Sequence, residues 1–178
     1  MFGTLFETNK NVYYGIGLLV TMKLKLNGWD LGIGFSACHF LPGHDKCNRL
    51  HGHNYAIHIH LTGDLDDSGM VYDFVKLKRA MKTVADEMDH SVLMPGKSDK
   101  VIIVVENSQV KVDALGKTYS FPECDVNILE LDKISAEKLA EYTLEKIIGQ
   151  LELGANIQKI KVGIDEGIGQ GAWASREL

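Results

Sequence analysis

A chain of 178 residues with 45% apolar side chains, 24% charged ones and only three prolines can build one compact domain that buries roughly two thirds of its unfolded surface. That composition excludes a disordered or collagen-like chain. A formal charge of -5 argues against gripping nucleic acid or an anionic membrane as the main task, because both require a net basic footprint; a small anionic substrate remains open, since local lysines can outweigh the global sign. Cys38, Cys47 and Cys124 lack the dense spacing of a disulfide scaffold, so a reducing cytoplasm is expected.

Residues 1–21 read as an N-terminal extension of unknown role and residues 22–178 as a single domain without repeats or linkers. The apolar run Val12 to Met22 is about half of the roughly 20 residues that span a bilayer. It also makes a poor signal peptide, with Glu7 ahead of it and no small-x-small site behind. Met22 could serve as an alternative start.

Lys23 to Phe40 is strand-like, with kinks expected at Gly28 and near Gly32 and Gly34. From Tyr55 to Leu61 the alternation is plain: Tyr55, Ile57, Ile59 and Leu61 point one way and Ala56, His58 and His60 the other. Phe74, Leu77, Met81, Val84, Ala85 and Met88 form a helical stripe behind Asp73 as N-cap. Val101 to Val105 and Val110 to Phe121 predict a hairpin turning at Asn107 and Ser108. A second helix starts near Ser135, with Ala140, Leu144, Ile147, Ile148 and Leu151 on its apolar face. Ile160, Val162 and Ile164 alternate as a strand, and Gly167 to Gly171 turns into Ala172 to Ser175. The expectation is an α+β layer sandwich: a four-stranded antiparallel sheet, two helices on one face and an inserted hairpin. The open face, with His58 and His60, then meets solvent or other subunits.

All seven histidines lie between His39 and His90, six of them between His39 and His60. His51 and His53 flank Gly52 at i, i+2, so on a strand both rings project from one face about 6 to 7 Å apart. His39, ending the preceding strand, supplies a third nitrogen if the two strands pair. Three neutral imidazoles point to Zn2+, with one coordination position left for water or substrate. The plainer alternative is a set of packing or surface histidines; it is preferred for His58 and His60, which parity puts on the other face.

Cys47 lies between the cations Lys46 and Arg49, which would favour its thiolate. A fourth zinc ligand, a catalytic thiolate and an inert residue all remain open. Asp89 and His90 close the first helix, where a helix-terminal role suffices. Glu166 ends a strand as a turn acid, or accepts two parallel N–H bonds from a planar heterocycle.

Phe35-Ser36-Ala37-Cys38-His39-Phe40-Leu41, followed by Gly43-His44-Asp45-Lys46-Cys47-Asn48-Arg49-Leu50-His51-Gly52-His53-Asn54-Tyr55, resembles the superfamily of 6-pyruvoyltetrahydropterin and 6-carboxytetrahydropterin synthases. Gly69 to Phe74, Met88-Asp89-His90, Ser135-Ala136-Glu137 and Val162 to Glu166 resemble its later motifs in the same order. The resemblance spans about Met22 to Ser175, apart from much of Gly96 to Glu123, which looks like an insertion.

The resemblance implies the tunnelling fold, in which trimers close a twelve-stranded barrel and pairs of trimers stack as a hexamer with active sites between subunits. It implies that His39, His51 and His53 hold zinc, Cys47 is the catalytic base, Asp89 and His90 assist proton transfer, and Glu166 anchors a pterin substrate. Three residues between Cys47 and His51 match the members that convert 7,8-dihydroneopterin triphosphate to 6-carboxytetrahydropterin, acetaldehyde and triphosphate, on the route to queuosine and archaeosine bases. The alternatives are a 6-pyruvoyltetrahydropterin synthase, a non-catalytic zinc-binding oligomer, and a zinc hydratase or hydrolase. The sequence departs from the family at Gly167, where a threonine is usual, and at Lys133-Ile134, where Pro-Thr is common.

Overall fold

The computed structural model describes residues 21–178, so the reading of residues 1–20 as part of an extension lies outside the described residues. Ten strands and three α-helices follow one another from there. Strands β1 (Met22–Leu26) and β2 (Gly34–His39) flank a helical turn, α1 (Gly28–Leu31); then come β3 (His51–Gly63), α2 (Phe74–Met88) and β4 (Ser91–Pro95). Strands β5 (Val101–Glu106), β6 (Gln109–Ala114) and β7 (Lys117–Pro122) precede β8 (Val126–Leu129), α3 (Ala136–Ile148), β9 (Ile157–Glu166) and β10 (Gly171–Glu177).

The four expected antiparallel strands form one side of the larger sheet, with β10 at its edge. β10 pairs β9, β9 pairs β3, and β3 is lined on its other side by β1 and β2 in turn. The first of the four is therefore broken rather than merely kinked. Asn27 caps α1 by accepting from Trp29 N–H, and Trp29 Nε1–H reaches Asp165 at 2.9 Å. Two short strands extend the sheet beyond expectation: β4 pairs β2 and β8 pairs β4, both parallel.

Helices α2 and α3 start where expected. The Asp73 side chain accepts from Val75 N–H, and Ser135 accepts from Lys138 N–H, satisfying donors that the first turn of a helix leaves free. Their apolar stripes, including Leu77, Met81 and Met88 on α2 and Leu139 and Ile147 on α3, bury against Ile57, Ile59, Leu61, Ile160, Val162 and Ile164 of the sheet. Each such aliphatic side chain contributes about 1.5–3 kcal/mol. Strand β3 is not simply half-buried: Ala56 and His58 on its second face are also buried, and Gly28 N–H of α1 donates to His58 Nδ1 there.

The segment expected to be an inserted hairpin is a three-stranded meander, β5-β6-β7. Its first turn falls on Asn107 and Ser108, at φ 49 and 57, as expected. Its second falls on Leu115 and Gly116, at φ 51 and 81, and splits what reads as one strand from Val110 to Phe121. The meander packs through Val101, Val110, Val112 and Ala114 against Phe40 and Met94, a second apolar cluster beside the main core. Among the described residues no helix is long and apolar enough to cross a membrane.

Candidate metal centre and pterin pocket

The register of β2 with β3 sets His39 opposite His51 and Ala37 opposite His53. Side chains two residues apart on a strand share a face, so all three imidazoles converge on the helix side of the sheet. Ring centroids lie 4.5 Å apart for His39 and His51, 5.2 Å for His39 and His53, and 5.1 Å for His51 and His53. One nitrogen from each falls within 4.8 Å of the others. Small side-chain shifts suffice for one ion to bond all three at about 2.0–2.1 Å.

Backbone carbonyls orient two of the rings. His39 Nδ1 lies 2.6 Å from Ile134 O, and His51 Nδ1 lies 2.7 Å from Arg49 O. A carbonyl only accepts, so each Nδ1 carries the proton and each Nε2 presents a lone pair, the tautomer a metal ligand needs. His39 is 1% exposed, and its Nε2 has no hydrogen-bond partner. Burial, reinforced by His51 and His53 and opposed by the Ile134 carbonyl, lowers its pKa from 6.5 to about 4. An orphaned, neutral, buried imidazole nitrogen beside two more imidazoles fits a divalent cation.

Glu166 completes the same face. It pairs with Tyr55, which continues the alternation of His51 and His53 along β3, and its Oε1 lies 4.0 Å from His39 Nε2. Burial raises the Glu166 pKa, and the neighbouring His53 and His51 pull it back. Tyr55 is buried, stacks on Phe35 with ring centroids 4.6 Å apart, and leaves its hydroxyl without a hydrogen-bond partner. Burial and then the Glu166 carboxylate push that hydroxyl above the ordinary phenol range. The alternation reaching two positions past His53 is the signal that marks Tyr55 as part of this pocket.

Cys47 is half-buried in a single 3-10 turn, Lys46–Asn48, on the loop joining His39 to His51. Its sulfur is not part of the three-nitrogen cluster.

The family pattern described as 6-pyruvoyl tetrahydropterin synthase matches residues 32–177. The chain belongs to that family. A protein of Methanocaldococcus jannaschii that carries the provisional name 6-carboxy-5,6,7,8-tetrahydropterin synthase is 38% identical over 154 residues, 85% of this chain and 94% of its own. A Pyrococcus horikoshii protein of the same provisional name is 32% identical over 137 residues, covering 74% and 79%. The solved 6-pyruvoyl tetrahydropterin synthase of Plasmodium falciparum superposes with a TM-score of 0.83 at 26% identity, over 89% of this chain and 99% of that one. The fold is accordingly the tunnelling fold of the 6-pyruvoyl tetrahydropterin synthase family.

Two departures from the family's motifs have a local explanation. Gly167 adopts φ 89, where a β-branched threonine is strained, and its N–H donates to Asn54 O at 3.1 Å. Ile134 buries its side chain completely and offers His39 its carbonyl, a contribution any residue could make through its backbone.

Asp89 and His90 are not part of the three-nitrogen cluster. Asp89 Oδ1 accepts from Ser36 N–H at 2.7 Å, and Oδ2 lies 2.7 Å from His90 Nδ1. The Ser36 amide, more than His90, lowers the Asp89 pKa. His90 lines a cleft of about 490 Å³ with Ser36, Cys38 and Asn54, and with His53 of the trio. His58 and His60 take the face opposite His51 and His53, as expected. They border a larger cavity of about 970 Å³ with Lys25, Asp165 and Trp173. His58 is held there between Gly28 N–H and Asp165, whose Oδ2 lies 3.1 Å from His58 Nε2.

Proposed function

We propose that this chain is a zinc-dependent 6-carboxy-5,6,7,8-tetrahydropterin synthase. On this reading it converts 7,8-dihydroneopterin triphosphate to 6-carboxytetrahydropterin, acetaldehyde and triphosphate in the cytoplasm, for 7-deazaguanine synthesis. The observation that carries the reading is the convergence of His39, His51 and His53 in one pocket with Glu166. The archaeal relatives named for the carboxy product and the three residues between Cys47 and His51 support that product over the pyruvoyl one.

His39, His51 and His53 would hold the ion. Zinc bound there supplies a Lewis acid for the hydroxyls of the substrate side chain. Glu166 accepts two parallel N–H bonds from the 2-amino-pyrimidine edge; those donors favour its ionised form and offset the shift that burial imposes. Cys47, on the loop leading into His51, removes the proton that starts the chemistry. Asp89 and His90, already hydrogen-bonded to each other, relay protons at a neighbour's site. That assignment fits their absence from the three-nitrogen cluster and a trimer, or dimer of trimers, with shared sites.

The solved neighbours named 6-pyruvoyl tetrahydropterin synthases favour the second reading, elimination of triphosphate to a pyruvoyl product. Incubating the zinc-loaded protein with dihydroneopterin triphosphate separates the two. Acetaldehyde with the 6-carboxy product is expected; a pyruvoyl product without acetaldehyde replaces the first reading with the second, and no turnover leaves a zinc-binding oligomer.

A further inference from the structure

The loop that carries Cys47 is bonded largely to itself: Leu41 N–H donates to Cys47 O at 2.7 Å, His44 N–H to Leu41 O at 3.1 Å, and Asn48 N–H to His44 O at 2.7 Å. Its ties to the surrounding fold fall on the two carbonyls that directly follow the cysteine. Asn48 O accepts from Lys117 Nζ at 2.6 Å, and Arg49 O accepts from His51 Nδ1 at 2.7 Å. The tether between Cys47 and the histidine trio is therefore pinned at consecutive peptide units, once by a histidine of the trio and once by a half-buried lysine of β7.

The inserted meander meets this loop at Phe40 and comes near it at Gly43. Phe40, at the root of the loop, stacks on Tyr119 with ring centroids 5.5 Å apart. Gly43 adopts φ 80, and a Cβ placed on it would lie 3.7 Å from Leu115 Cδ1 and 3.8 Å from Lys100 Nζ. Leu115 is itself at φ 51, although 56% of it is exposed. A leucine is strained in that left-handed conformation, where asparagine or glycine is tolerated. The strain has a reason if the side chain is needed against Gly43.

We propose that the inserted β5-β6-β7 sheet is the positioning element for Cys47. Lys117 is a positioning residue that fixes the Asn48 carbonyl, and through it the separation of the thiol from His51, while Leu115 props the far side of the loop. The inference rests on the role proposed for Cys47. Thiol reactivity reads it without substrate, so a failed product assay and a failed positioning test are distinguishable.

The test compares Lys117→Met with Lys117→Arg in the full zinc-loaded chain. Lys117→Met is expected to keep its zinc and its KM while kcat falls roughly ten- to hundredfold, the cost of a misplaced reacting group, and Lys117→Arg to recover most of it. Alkylation by iodoacetamide, followed peptide by peptide in the absence of substrate, should change roughly tenfold at Cys47 in Lys117→Met, return in Lys117→Arg, and stay constant at Cys38 and Cys124. Wild-type alkylation of Cys47 in zinc-loaded Lys117→Met overturns the proposal, whatever the activity. If Lys117→Met fails to fold or to hold zinc, Leu115→Asn takes its place, since it strips the prop from Gly43 while suiting the local φ. A Cys47-selective change in that variant supports the proposal, and wild-type alkylation overturns it.

Discussion

Acidifying the metal-free protein tests how His39 is buried. In the unfolded chain this ring takes a proton near its ordinary value of 6.5, whereas in the folded protein it resists protonation until about pH 4. Between those values the unfolded state binds more protons, so stability falls as the pH drops through the window and levels off below it. The whole gap corresponds to about 3 kcal/mol, of which about 2 kcal/mol is lost by pH 5. The ring is 1% exposed, so solvent screening removes little of this. Urea unfolding at pH 8 and pH 5, with chelator and at fixed protomer concentration, measures the loss. His39→Asn is the control, because its amide can still donate to the Ile134 carbonyl but cannot titrate. The wild type should lose about 2 kcal/mol more than the variant between the two pH values; equal losses would refute the account of a neutral, desolvated imidazole waiting for a metal.

Cys47→Ala should retain zinc and lose at least roughly a hundredfold in product formation, as expected on removing a general base; unimpaired turnover would take the thiol out of the chemistry. Glu166→Gln should weaken pterin binding by roughly ten- to hundredfold, with a larger effect on KM than on kcat, and the opposite split would deny it the anchoring role. Oligomers assembled from Cys47→Ala and Asp89→Asn chains should regain activity that neither variant has alone, because a shared site then finds both intact groups. Mixed oligomers verified by mass that remain inactive would place Asp89 and Cys47 at the same chain's site.

The elements legible in the sequence are those whose physics lies in side-chain periodicity. The stripe from Phe74 to Met88, the Asp73 and Ser135 caps, and the alternation along β3 each specify an element and a face. Once β2 and β3 pair, that alternation also brings His39, His51 and His53 together. Periodicity does not reveal which strands lie side by side after a crossover. The parallel β4 and β8 therefore escaped, being five and four residues long with too few positions to alternate. The second turn of the meander escaped because Leu115 occupies a conformation that turn chemistry assigns to glycine or asparagine. The supports of the site share one trait. Ile134, Arg49 and Asn48 act through main-chain carbonyls, accepting from His39, His51 and Lys117. A carbonyl is common to every residue, so no residue type marks it. What the sequence does encode is each partner that must reach it: an imidazole with a second nitrogen to spare, and a lysine long enough to cross from β7 to the Cys47 loop.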